Sequence, residues 1–479
     1  VPATFTGTPP AGDGVFTYSW EFSTDSAAWN PVGGASSSTY TSPSLSVDTW
    51  FRRLTTSTLN GFSCSEMTPP VKVTVNNFDP QSIAADQSIC EGDTPLPFTS
   101  TTPTGDGAFS YQWQSSINGV VFSNITGATL ETFASASLSA DTWFRRQVTS
   151  TLNGNTCTEP TASVLVTVNN LTPGSIAGTQ TICEGDIPAP FTSVAPTYDG
   201  TVSYEWQSSA DGTTFAAIPG AISETYASVS LSADTWFKRL VTSTLPGVIC
   251  TEETNIIKVT VNNFNPGNIG SAQTICEGGV AASLTSTTPT GDGIFTYRWF
   301  MSVDGTTFGA IPGAINETYS PGTLTADRWY TREVTSTLLG KPCVEMNDTI
   351  RITVINFTPG ALTGDQTICS GTVPAGFGYT APGGDGIFTF QWRISTDGVN
   401  YNDIAGETGA TYTPGALTQD TWYIRRVTST LNLVACVEET NFVKVTVNNV
   451  NGGTIISDQT ICNTSDPVPF NSVVHGTGD

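Results

Sequence analysis

Short stretches of alternating apolar and polar residues run the length of the chain, separated by clusters of Gly, Pro, Asn and Asp. Phe109-Ser-Tyr-Gln-Trp113 alternates aromatic and polar residues, the period-2 pattern of a half-buried strand. Asp141-Thr-Trp-Phe-Arg-Arg-Gln-Val-Thr-Ser and Ser163-Val-Leu-Val-Thr-Val168 read as two further strands, and Asp86-Gln-Ser-Ile-Cys90 as a short earlier one. Pro103-Thr-Gly-Asp-Gly107 is a loop dense in turn formers. Asn118-Gly119 predicts a two-residue type I′ hairpin, with Asp211-Gly212, Asp304-Gly305 and Asp397-Gly398 in the same place. Asp25-Ser26 in the first copy predicts a different turn. No stretch has the 3.6-residue period of a helix. Seven or so short strands, with a turn signal about every ten residues, predict an immunoglobulin-like sandwich.

The pattern repeats in register. One Trp recurs at positions 20, 113, 206, 299 and 392, and a second at 50, 143, 236, 329 and 422, each at a step of 93. A period this long is about one small domain, so each unit can bury its own core. The units expected are 1–78 (lacking its first strand), 79–171, 172–264, 265–357, 358–450 and 451–479, the start of a further repeat. Val-Asn-Asn, as at Val75 to Asn77, opens the linkers except for one copy with Val354-Ile355-Asn356, and is followed by an apolar residue and often Pro, a composition that favours stiffness. Both Trp columns are expected in the inter-sheet core. The fold class expected is all-β: tandem Ig-like sandwiches arranged as an extended rod. The sequence also reads as a piece of a longer protein, since no initiator Met, signal peptide or membrane span is evident in it.

Composition narrows the function. Forty-one acidic against 17 basic residues give a net charge of −24. That balance argues against nucleic acid and anionic membranes as partners, because both need clustered Lys and Arg. The one His is His475, so no repeated triad or His-based metal site exists, and no enzymatic activity is expected.

Ten cysteines, two per period, read as disulfides and place the chain outside the cytoplasm. Three pairings stay open. Cys90 with Cys157, and likewise Cys183–Cys250, Cys276–Cys343 and Cys369–Cys436, closes each repeat on itself. Cys90 with Cys250, Cys183 with Cys343 and Cys276 with Cys436 staples neighbours together. Cys64 with Cys90, and so on, folds a strand back onto the previous repeat. Two acidic columns, Asp106, Asp199 and Asp292 with Glu159, Glu252 and Glu345, are candidates for calcium at the junctions; the alternative is turn and loop hydrogen bonding. No other cofactor is expected. A further column, Asp48 and Asp141 among it, is expected to cap a turn and pair with an Arg such as Arg52 or Arg145.

Asp-Gln-(Thr/Ser)-Ile-Cys, Gly-Asp-Gly-x-Phe-x-Tyr-x-Trp, Asp-Thr-Trp-(Phe/Tyr)-x-Arg-x-Val-Thr-Ser-Thr and Val-x-Val-Asn-Asn together resemble the Ig/PKD-like repeats of giant Bacteroidota surface adhesins, the SprB-type flavobacterial gliding adhesins in particular. The resemblance implies export by a type IX secretion system and a cell-surface filament moved by a gliding motor. It also implies O-glycosylation at Asp-(Ser/Thr)-apolar sites, with Ser26 and Thr349 as candidates. The function expected is the repetitive stalk of an extracellular adhesin. Its partners would be surface polysaccharide or another extracellular ligand, and gliding or secretion machinery through regions outside this sequence. The alternatives are a carbohydrate-binding array, with rings of the Phe122 or Phe133 type exposed, and the spacer region of an extracellular enzyme.

Overall fold

The computed structural model describes residues 2–270, 272–474 and 476–478; His475 lies outside the described residues. These residues form strands, turns and loops, with no helix among them.

Repeat 2 shows how the sequence builds a unit. Its strands are β1 (Phe78–Asp79), β2 (Gln87–Cys90), β3 (Thr104–Gly105), β4 (Ala108–Ser116), β5 (Ser123–Asn124), β6 (Thr142–Leu152), β7 (Asn155–Pro160) and β8 (Val164–Asn169). The main sheet runs β5-β4-β6-β8-β2. Strand β6 is long enough to pair with β4 along one edge while sharing its other edge between β8 and then β7. All pairs are antiparallel except β8 with β2, which run parallel and set Cys90 beside Asn169. The facing layer is slight: the β1–β3 pair and single bridges joining Ile83 to Ser100 and Phe98 to Phe133.

Between the layers lies an aromatic and aliphatic core of Phe98, Trp113, Phe144, Val164 and Val166, flanked by Ile83, Ile89, Phe133 and Leu138. Trp113 is fully buried, which contributes on the order of 5 kcal/mol of apolar transfer. Its indole N–H donates to Leu130 O at 3.0 Å, so no polar atom of the ring is stranded. The same bond reappears 17 residues on from Trp20, Trp206, Trp299 and Trp392.

The described residues group into two compact units. The first holds repeats 1 and 2 and most of repeat 3. Repeat 1 has a five-stranded sheet with no parallel strand beside Val71–Val73, and a core of Phe5, Trp20, Tyr40 and Phe51. The second unit holds repeats 4 and 5, with cores around Trp299 and Trp392, and the final segment. In that segment Thr454–Ile456 pairs with Asn471–Val474.

Three local expectations are overturned. The second Trp column is not core: Trp143 is half-buried on the outer face, and its neighbour Phe144 points inward instead. Successive residues of a strand face opposite ways, so only one of the two can be inside. Lys72, Lys258, Arg351 and Lys444 lie over the rings of Trp50, Trp236, Trp329 and Trp422.

The Asn118-Gly119 turn is not a two-residue hairpin, because pairing of β4 with β5 stops at Ser115–Ser123. The Asn118 side chain instead accepts the amides of Val120 and Val121. Gly119 takes φ 69° where it packs on Trp143, an added Cβ lying 3.1 Å from the ring. In the first copy Ser26 adopts φ 60° and Asp25 makes the same two bonds, so that turn does not differ; the carboxylate holds it without Gly. Finally, the Asp48 column pairs with neither Arg52 nor Arg145, although Asp327 does pair with an arginine, Arg351, and Asp48 and Asp420 pair with Lys72 and Lys444. Asp48, Asp141, Asp234, Asp327 and Asp420 each accept the amide of a last-strand valine, from Val75 to Val447. Arg52 instead bonds Glu21, and Arg145 bonds Gln114.

Candidate functional site: the junction between repeats

The residues that carry the repeat's signature meet where one repeat passes into the next. Each junction described below lies inside one of the two compact units. At the end of repeat 2 the parallel register of β2 on β8 presents Cys90 and Asn169 side by side. The hairpin of repeat 3, Thr235–Leu245 with Val248–Glu253, presents Ser243 directly across from Cys250. The two pairs lock together. Cys90 is disulfide-bonded to Cys250, with Cα atoms 5.6 Å apart. Asn169, fully buried, donates from Nδ2 to Ser243 O at 2.9 Å, and Ser243 Oγ donates back to Asn169 Oδ1 at 2.7 Å. A buried amide of this kind is stabilising only because both its ends are satisfied. Leu171, Val241, Val202, Tyr204 and Val248 pack with the two cysteines.

The same device joins repeat 3 to repeat 4. Cys183 bonds Cys343, and Asn262 and Ser336 exchange bonds of 3.0 and 2.9 Å. Between repeats 4 and 5, Cys276 bonds Cys436, but Ile355 stands in the asparagine's place, fully buried. Between repeats 1 and 2 the Asn76–Ser150 exchange is present, at 3.1 and 2.9 Å. Cys157 there is an exposed free thiol, as are Cys64, Cys369 and Cys462. The Cys369–Cys436 pairing is absent, Cys436 being bound to Cys276. Cys90–Cys157 cannot form in this fold: Cys157 lies in β7 opposite Ser150, which faces the preceding repeat, while Cys90 faces the following one.

The Gly-Asp-Gly loop completes the junction. Asp106 N donates to Asn77 O at 2.8 Å, and Asn77 N donates to the Asp106 carboxylate at 3.3 Å. Asp199 accepts both the backbone amide and the side chain of Asn170, at 3.0 and 2.8 Å. Gly107 must be glycine: it sits at φ 88°, and a Cβ there would lie 2.3 Å from Ser150 Oγ. Gly105 is constrained in the same way, at φ 118° with an added Cβ 2.3 Å from Asn77 O, whereas repeat 3 carries Tyr198 at that position without a positive φ.

Of the calcium candidates, Asp106 and Asp199 are thus engaged by the linker, and Asp292 donates its amide to Asn263 O at 2.9 Å. Glu159, Glu252 and Glu345 are exposed on the hairpin strands. Among the described residues no group of three or more His, Cys, Asp or Glu is placed to hold a metal ion. Ser26 and Thr349 are both exposed.

One conspicuous column escaped the sequence reading. Arg146, Arg239, Arg332 and Arg425 are fully buried, and their hydrogen bonds run mainly to backbone carbonyls. Arg146 donates to Pro80 O at 2.9 Å, Thr101 O at 3.2 Å, Glu131 O at 3.2 Å and Ser100 Oγ at 2.6 Å, and lies over the Tyr111 ring. Burial pushes its pKa down from the usual arginine value, and Tyr111 and the nearby Glu131 carboxylate act against that shift. The bond to Pro80, repeated at Pro173, Pro266 and Pro359, anchors the end of each linker to the repeat that follows. The doubled Arg of Asp-Thr-Trp-Phe-Arg-Arg was the available signal: strand alternation sends the second one inward with Phe144.

Among solved structures the chain is similar to three N-terminal domains of the Hoc capsid protein of bacteriophage RB49. That match has 12% identity and a TM-score of 0.28, and covers 58% of this chain and 99% of that one. It is also similar to the N-terminal eight Ig domains of Down syndrome cell adhesion molecule, with 14% identity, a TM-score of 0.26, and 94% and 58% covered. The insect immune protein hemolin gives 13%, 0.23, and 77% and 99%. The Ig-like assignment stands on the strands and cores of the chain itself. No curated protein matches the sequence. Residues 1–77, 79–170, 172–263, 265–356 and 358–449 each match the domain of unknown function DUF8696, and the chain belongs to that family.

Proposed function

We propose that the chain is the repetitive stalk of an extracellular adhesin, a stiff spacer that carries a binding region away from a cell surface. The observation that carries this reading is the junction, where a disulfide, a buried Asn–Ser exchange, or both together fix one repeat onto the next. Disulfides of this number belong to an oxidising compartment. In its finer form the proposal is a filament of the SprB type in a gliding member of the Bacteroidota, exported by type IX secretion and glycosylated at Ser26 and Thr349, both exposed.

The carbohydrate-binding alternative is less favoured because its rings are engaged. Trp29, Phe122 and Phe215 lie under Arg52, Arg145 and Lys238 at 4.0, 4.0 and 4.5 Å. Phe133 stacks on Phe98 at the core. Antibodies raised against the repeats test the proposal on cells that carry the gene. Label on intact, unpermeabilised cells, with weaker attachment to glass after gene deletion, is the expected result. Label seen only after permeabilisation would overturn it.

A further inference from the structure

The three disulfides are staggered, and the stagger has a mechanical consequence. Each joins residues 160 apart, longer than one repeat, so successive covalent loops overlap. Residues 183–250 lie inside both the first and the second loop, and residues 276–343 inside both the second and the third. The shortest covalent route from Cys90 to Cys436 therefore does not follow the backbone. It crosses to Cys250, runs 26 residues to Cys276 and crosses again to Cys436. Fully extended, 26 residues span roughly 90 Å, whereas the backbone from 90 to 436 would span roughly 1,200 Å. Little slack remains even in that route, because it already contains the strands Ile257–Asn262, Phe264–Asn265 and Gln273–Cys276.

We propose that the staggered staples make the array an inextensible tether: tension can break hydrogen bonds in repeats 2 to 5 but cannot draw those repeats out. Disulfides serving folding stability alone would close loops in any arrangement. This one sets a short covalent line through residues 90 to 436. The idea deepens the stalk reading, on which it rests for its purpose, since a stalk that holds a cell to a surface must bear pulling without lengthening.

The test is single-molecule pulling of the full chain from terminal handles, with the exposed thiols Cys64, Cys157, Cys369 and Cys462 first alkylated. Reduction by a phosphine is expected to lengthen the fully stretched chain by about 320 residues, roughly 1,100 Å. A gain near 270 residues, the value for pairing of the Cys90–Cys157 type, or no gain at all, overturns the proposal. The C90S/C250S variant gives an independent reading without reductant: the route from 90 to 436 should grow from 26 to 160 residues, and an unchanged length contradicts it. These lengths do not depend on cell attachment, so a failure here is separable from a failure of surface labelling.

Discussion

Arg146 keeps its charge inside a cage of carbonyl oxygens, an arrangement that depends on the planar fork of the guanidinium. Lysine at this position retains the charge but reaches fewer of the acceptors. Arg146→Lys is therefore expected to destabilise repeat 2 by about 3 kcal/mol, since buried carbonyls lose their donors; an unchanged calorimetric profile would contradict the role. On the surface, Asp211 accepts the amides of Thr214 and Thr213 and the Ser209 hydroxyl, which hold its carboxyl well below the usual range. A folded pKa below the unfolded one contributes stability that is present above about pH 4 and lost as pH falls through the folded value. Asp211→Asn, the residue type that repeat 2 carries at Asn118, keeps the acceptor but not the titration. Thermal melts of that variant should fall less below pH 4 than those of the parent, and parallel falls would count against the assignment. At this scale the sequence was legible where alternation is strict: Trp113 and its equivalents are core. Placing Trp143 there as well ignored the alternation that had identified the strand.

Among elements, strand existence and order were readable from the alternating runs, while the register of β2 on β8 was not. That register decides what the junction is, because it sets Cys90 beside Asn169 opposite Ser243 and Cys250. The Asp-Gly turn was misjudged for a related reason: dipeptide preference describes a short hairpin, but a side-chain acceptor at Asn118 or Asp25 supports a wider loop. Ile355 shows that the buried asparagine position accepts an apolar side chain of similar size. Asn169→Ala should thus cost about 1–3 kcal/mol, removing both bonds between Asn169 and Ser243 and leaving a small cavity, and Asn169→Ile distinctly less. Urea melts of the two variants decide it; equal losses would mean that the amide pair, not the filling of the site, dominates.

For the molecule as a whole, the 93-residue step makes the tandem Ig-like organisation legible in the sequence itself. Cysteine pairing stayed open, because spacing along a sequence does not say which end of a sandwich a strand terminus occupies. The central claim is that each staple joins one repeat to its successor and none closes a repeat on itself. Proteolysis of the alkylated, unreduced chain followed by mass spectrometry measures this directly. Linked peptides containing Cys90 with Cys250, Cys183 with Cys343 and Cys276 with Cys436 are the expected result. Recovery of Cys90 with Cys157, or of Cys183 with Cys250, would contradict it.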